Sequence, residues 1–264
     1  MYVVGCTMVN SRIGEGESSN YFVFRILNYG HDICSMKSTN SFEEGKLVLI
    51  NKPLRWTSFD VIRKIRNMIQ IKKVGHAGTL DPLATGLLII CTGKFTKRIN
   101  EYMAQEKEYT GSFTLGATTV SYDLEQEPGN FRPFEHITEE LVKSATVPFT
   151  GEIFQVPPAH SAIQIDGKRV YELARQGREV VIEPRKVTVR EFEIAGVELP
   201  IVYFRIVCST GTYIRSLANN LGIALGCGAY LSSLCRTRIG DFKLEDAMTM
   251  DEFEKEVIKI RHKP

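Results

Sequence analysis

Between residues 75 and 86 the chain reads Gly75-His76-Ala77-Gly78-Thr79-Leu80-Asp81-Pro82-Leu83-Ala84-Thr85-Gly86. Three glycines punctuate it, and glycine admits close backbone approach and φ angles closed to other residues. One carboxylate, Asp81, stands in the middle. Pro82 follows, with a fixed φ and no N–H. The composition predicts a loop over 75–86. Asp81 is the sole acid between Asp60 and Arg98, and a basic surround keeps a lone carboxylate ionised and nucleophilic. A turn aspartate that accepts from backbone N–H groups accounts for the residue as simply, and local chemistry alone favours that plainer alternative.

Outward from the loop, Leu47-Val48-Leu49-Ile50 and Leu87-Leu88-Ile89-Ile90-Cys91 are short apolar runs fit for buried strands. Thr57 or Ser58 caps a helix whose apolar positions, Ile62, Ile65 and Ile69, are three and four apart. Its other face carries Arg63, Lys64 and Arg66. Lys94 to Met103 reads as a helix. Tyr109, Gly111, Phe113 and Leu115 alternate with polar residues, as in a half-buried strand. Thr138 opens a short helix. Strands are predicted at Ile153–Val156, Ala162–Ile165, Lys186–Ile194 and Ile201–Cys208, and helices at Val170–Gln176 and Thr212–Leu225. Thr249-Met250-Asp251-Glu252 is a capping box for a last helix. Interspersed strands and helices with hairpins imply an α+β fold with a mixed, largely antiparallel sheet.

The 264 residues are 43% hydrophobic, enough for a real core, and carry a net charge of only +2. Local charge is less even. From Lys52 to Arg98 ten basic residues face two acids, and from Lys168 to Arg190 seven face three, while Asp241 to Glu256 holds seven acids and two lysines. A near-neutral total can thus conceal a polyanion-binding face, with ordinary solvated surface as the alternative. The six cysteines form no C-x-x-C, and no histidine pair has zinc spacing, so no metal site is expected. Cys91 and Cys208 end apolar runs and read as buried thiols of a reducing compartment. No stretch is long enough to span a membrane, so a cytoplasmic protein is expected. Gly93-Lys94 lacks the rest of a phosphate-binding loop. Residues 1–44 are polar and turn-rich and read as an N-terminal extension. Met36 is a candidate translation start, which mass spectrometry of the native N-terminus decides.

The glycine-rich stretch has ordered companions. They are Lys52-Pro53, Thr57-Ser58, Lys107-Glu108-Tyr109, Ser121-Tyr122-Asp123, Pro157-Pro158-Ala159-His160-Ser161-Ala162, Gly167-Lys168-Arg169-Val170-Tyr171, Gly211-Thr212-Tyr213-Ile214-Arg215 and Leu234-Cys235-Arg236. Together, from about 45 to about 250, they resemble the TruB family of tRNA pseudouridine synthases. The resemblance implies a pseudouridine-synthase fold, a catalytic domain over 45–264 with an RNA-binding insertion around 157–183, and a short form without the C-terminal PUA domain that many members carry. It implies Asp81 as nucleophile, Arg215 as its ion-pair partner, and Tyr109 stacked on the target base near the C5 proton. It further implies His76, Tyr213 and the apolar wall Leu234 at the RNA, with Lys52 and Asp123 supporting the pocket. The substrate would be uridine 55 in the T-arm of tRNA, flipped out of its stack. Isomerisation needs no redox change and no group donor, so no cofactor is expected, and neither is an obligatory protein partner; a monomer suffices. Two other readings fit less well: a non-catalytic RNA-binding protein, and an enzyme of rRNA or guide-RNA-directed sites.

Overall fold

The computed structural model describes residues 40–158, 164–165, 168–169 and 183–261. A nine-stranded sheet runs in the order β1 (Leu47–Lys52), β3 (Ala84–Thr92), β10 (Ala229–Ile239), β4 (Lys107–Leu115), β9 (Ile201–Cys208), β8 (Arg185–Glu198), β5 (Gly151–Gln155). Strand β2 (Val74–Ala77) pairs with β3, and β11 (Phe242–Lys243) with β10. A separate two-stranded pair joins β6 (Gln164–Ile165) to β7 (Lys168–Arg169). Among the described strand pairs only β3–β10 is parallel. The sheet is therefore mixed and largely antiparallel, and with its flanking helices it gives the expected α+β class.

The apolar run 87–91 is unbroken because β3 is covered on both faces. Leu88 and Ile90 join α2 (Ser58–Ile69), the last helix α6 (Met250–Arg261) and Phe42 in one core. Leu87, Ile89 and Cys91 join Ala77, Tyr102 and Ile239 in another. A third core lies over β4, β8, β9 and β10, beneath α4 (Glu139–Thr146) and α5 (Ile214–Ala224). Each of the two capping boxes that the fold uses is complete. Thr57 and Asp60 open α2, and Thr249 and Glu252 open α6.

Several expectations shift. The stretch 75–86 is not all loop: Gly75 and His76 pair with Cys91 and Ile90 in β2, and β3 begins at Ala84, which leaves 78–83 as the turn. The helix at 94–103 is a 3₁₀ segment, Gly93–Arg98, followed by α3 (Ile99–Met103); the Ile99 N–H bonds the Thr96 carbonyl three residues back, and the Thr96 hydroxyl donates to the Gly93 carbonyl. Helix α5 starts at Ile214, with Tyr213 as its cap, rather than at Thr212. Helix α1 (Asn40–Glu44) lies within the stretch read as an extension, and its Phe42 is fully buried against Phe253. The helix expected at 170–176 and most of the insertion 157–183 lie outside the described residues.

Candidate active site

The turn 78–83 is held carbonyl by carbonyl. The Gly78 oxygen accepts from Arg236 at 3.1 Å and the Leu80 oxygen from Ser58 Oγ at 3.2 Å. The Asp81 oxygen accepts from the Ala84 N–H at 3.1 Å. The Pro82 oxygen accepts from the Arg55 N–H at 2.8 Å and from Lys52 Nζ at 3.3 Å. Gly86 is a glycine for cause. Its φ is +100°, and a Cβ there would meet the Arg236 carbonyl oxygen at 2.4 Å across the parallel pairing.

That framework sets the Asp81 carboxylate opposite Arg215, the second residue of α5. Arg215 Nε lies 3.0 Å from Oδ2, and Nη2 donates to Oδ1 at 3.3 Å, a two-point pairing. The same Nε is 3.6 Å from Asp123 Oδ2, and Nη1 donates to the Ser121 carbonyl at 3.2 Å. Asp123 is fixed in turn by Ser121 Oγ at 2.6 Å and the Glu125 N–H at 3.1 Å. A guanidinium at a helix N-terminus opposes the helix dipole; two carboxylates there offset it. The side chains of Arg215 and Asp123 are each 5% exposed and that of Asp81 is 36% exposed, so Asp81 is the member of the trio that meets solvent.

Asp81 is not isolated: Asp123 shares Arg215 with it. Burial pushes the Asp81 carboxyl above the usual carboxylate range. Arg215 and Lys52 pull the other way, and Asp123 adds to the rise. Desolvation outweighs the basic surround.

Asp81, Leu83, Ala84, Asp123, Leu231 and Leu234 wall a cavity with about 20 Å3 of free space, completed by Ser232 and Ser233. That free space is about enough for one water molecule. Asp81, Asp123, Arg215 and Leu234 are thus brought together. Tyr109 lies beside them in the core with Leu80 and Ala84, 9% exposed. Burial pushes its hydroxyl above the usual phenol range, while Arg236 draws it down by charge and by a hydrogen bond. Lys52 is fully buried and donates to the carbonyls of Pro53 at 2.9 Å and Trp56 at 2.6 Å as well as Pro82; desolvation lowers it to about 8. His76 is half-buried on β2, away from the cavity wall, and burial followed by the Arg236 charge lowers its pKa. Tyr213 is held by its backbone: its N–H donates to Gln155 Oε1 at 2.7 Å and its carbonyl accepts from Nε2 at 3.1 Å.

Arg236 carried no role in the sequence reading. It is 1% exposed and donates to the Leu87 carbonyl at 2.8 Å and to Gly78. A bulge between Arg236 and Arg238 sends Arg236 inward and Arg238 outward. Simple alternation would have put both on one face, so its burial had no local signal, although Leu234-Cys235-Arg236 stands among the family-like blocks. Lys107, also buried, donates to Met103 and Gln105 carbonyls and is lowered by desolvation to about 8. Among the described residues no group of three or more His, Cys, Asp or Glu is placed to hold a metal ion, and no helix is long and apolar enough to cross a membrane.

Comparison with known proteins bears on this arrangement. Residues 66–214 match the model of the TruB family pseudouridylate synthase N-terminal domain, and residues 215–263 match that of the tRNA pseudouridylate synthase B C-terminal domain. The tRNA pseudouridine synthase B of Flavobacterium johnsoniae is 52% identical over 219 residues, 80% of this chain and 96% of that protein. That of Phocaeicola vulgatus is 51% identical over 219 residues, 81% of this chain and 93% of the relative. A crystal structure of a Cbf5-Nop10-Gar1 complex contains a chain 29% identical with a TM-score of 0.65; the likeness covers 84% of this chain and 56% of that one. The archaeal box H/ACA Nop10-Cbf5 complex gives 26% and 0.62, covering 84% and 56%. The chain belongs to the TruB family of pseudouridylate synthases.

Proposed function

We propose that this enzyme converts uridine 55 in the T-loop of tRNA to pseudouridine, with Asp81 as the nucleophile. The observation that carries the reading is the two-point Asp81–Arg215 pairing at the edge of an apolar-walled cavity. Arg215 fixes one carboxylate orientation, and Asp123 fixes Arg215. The tRNA substrate is supported by relatives about half identical that match over nearly their whole length. The Cbf5-containing complexes are matched at 29% identity or less and over about half of their chain, so the tRNA reading rests on the nearer and more fully covered relatives.

The nucleotide leaves its stack and displaces the Leu83 and Leu234 walls, an unstacking cost of a few kcal/mol that phosphate contacts offset. Tyr109 stacks on the base, Leu234 excludes water, and His76 and Tyr213 contact the RNA. Lys52 acts through the loop backbone it holds. The carboxylate adds to C6 of the base or to C1′ of the sugar. In either route the N1–C1′ bond breaks, the ring turns, C5 bonds to C1′, the bond from the Asp81 carboxylate to C6 or C1′ breaks and frees the nucleophile, and the proton on C5 departs while N1 gains one. No oxidant, donor or metal enters that balance. We further propose that residues 45–264 act as one catalytic domain, as a monomer and without an obligatory protein partner, and that 157–183 contacts the T-arm.

The test is incubation with an unmodified tRNA transcript followed by mapping of the product. Pseudouridine at position 55 is expected, and product only elsewhere overturns the substrate. Asp81→Asn should lower turnover at least about a thousandfold; full turnover in that variant overturns the nucleophile.

A further inference from the structure

Beside the Asp81 loop lies a second concavity, a groove of about 380 Å3 lined by Arg55, Trp56, Asp60, Arg63, Lys64 and Asn67. It holds three cations against one carboxylate, together with the single tryptophan of the chain. Its cations are not spent alike. Arg63 leans on Asp60 at 2.6 Å and Lys64 on Glu254 at 3.4 Å, in exposed pairs that solvent weakens. Among the described residues no carboxylate pairs with Arg55, which is exposed.

Arg55 is also in the wrong backbone conformation for its type. Its φ is 66°, a left-handed geometry that glycine takes freely and arginine does not. Strain of this kind persists where a side chain is needed in place. The turn is rigidly tied to the catalytic loop. The Arg55 N–H donates to the Pro82 carbonyl, and Lys52 Nζ bonds the carbonyls of both Trp56 and Pro82. Trp56 packs its inner side on the α2 core and is half-buried, which leaves part of the indole to the groove.

We infer that this groove binds one nucleotide of the substrate RNA other than the target uridine. The phosphate lies between Arg55 and Arg63, and the base stacks on Trp56 within reach of the Asn67 amide. A guanidinium pair grips phosphate in two directions, and indole stacking accepts any base. The inference rests on the enzyme acting on tRNA. It adds a fixed anchor that shares its backbone bonds with the nucleophile's loop, so a seated neighbour sets the register of the flipped nucleotide.

The single tryptophan makes the groove observable. Full-length protein is titrated with unmodified tRNA while its fluorescence is followed, and pseudouridine formation is measured in parallel. Saturable quenching that tracks binding is expected. Arg55→Gln should raise the KM for tRNA about fivefold to tenfold and reduce the slope of log K against log salt by about 0.7–0.9, one phosphate contact. Arg55→Gly suits the backbone, so its thermal midpoint should hold or rise while the same affinity is lost. Fluorescence that does not change while tRNA binds and is modified overturns the groove and leaves the proposed activity standing. So does an Arg55→Gly enzyme with the parent's affinity and salt slope. Saturable quenching by uridine monophosphate at concentrations where tRNA gives none would make this a free-nucleotide site and overturn the RNA contact. Failure to make pseudouridine in any tRNA, with quenching intact, counts against the tRNA activity and not against the groove.

Discussion

Lys52 and Arg236, which hold the Asp81 loop, and Lys107 further along β4 are buried and donate to backbone carbonyls. On the other face of the same sheet, Arg205 pairs with Glu108 at 2.7 Å, Arg238 with Glu106 at 3.0 Å and Arg190 with Glu106 at 2.9 Å, with Glu191 and Glu193 around Arg205. Strand alternation divides the two sets: Lys107 and Tyr109 point inward and Glu108 points outward. The inner cations have traded hydration for carbonyl oxygens at fixed positions, so each determines where a segment of backbone lies. The outer ones pair with carboxylates that range from half-buried Glu106 and Glu108 to exposed Glu191 and Glu193, and with several partners to exchange each fixes less. Charge near the pocket is a device for geometry; charge on the far face is mostly solubility.

That contrast can be strained at graded points. Arg215→Lys keeps the charge and loses the planar fork; turnover on tRNA should fall about a hundredfold, as when one preorganised donor is lost. Lys52→Met leaves the Pro53 and Trp56 carbonyls without their donor and Pro82 with only the Arg55 N–H, and should cost about 1–3 kcal/mol in denaturant unfolding, with turnover falling as the Asp81 loop loosens. The pH dependence of that gap has a definite sign. The folded-state value of Lys52 is about 8 against 10.5 in the unfolded chain. Between these values the unfolded chain holds more protons, so wild-type stability gains on Lys52→Met as pH rises from about 8 to 10.5. Asp123→Asn removes a charge that raises the Asp81 carboxyl. As the proposed nucleophile Asp81 must be ionised, so kcat/KM should fall as pH drops through the raised value, and this variant should move that acid limb to lower pH. Arg205→Gln, on the far face, should change stability by less than about 1 kcal/mol, less still at high salt. A larger loss there than in Lys52→Met would erase the distinction between the two faces.

The elements that local pattern controls were legible in the sequence. The isoleucine spacing of α2, its Thr57 cap and the alternation of β4 correspond directly to what folds. Asp81 and Arg215 were paired by family resemblance, and the pairing is present at 3.0 Å. What stayed hidden depends on partners distant in sequence. Gly75 and His76 look like loop because nothing local announces that β3 will pair with them. Arg236 is buried because a bulge one residue on reverses the facing of the strand. The carboxyl of Asp81 is raised because burial, which no residue count reports, outweighs the cations around it.

The parallel pairing of β3 with β10, which sets Ala84 against Leu234 and Gly86 against Arg236, has a consequence in time. Arg215 follows Asp81 by 134 residues, and Arg236 follows Gly78 by 158. At ordinary rates of synthesis that distance is roughly 10–30 seconds of waiting on the ribosome. A growing chain that already displays the glycine-rich turn has nothing yet to hold Gly78 or to orient Asp81. Long-range closure of this kind is slow and comes late in folding. Until Arg215 and β10 are made, the chain therefore lacks the partners that hold Gly78 and orient the Asp81 carboxylate.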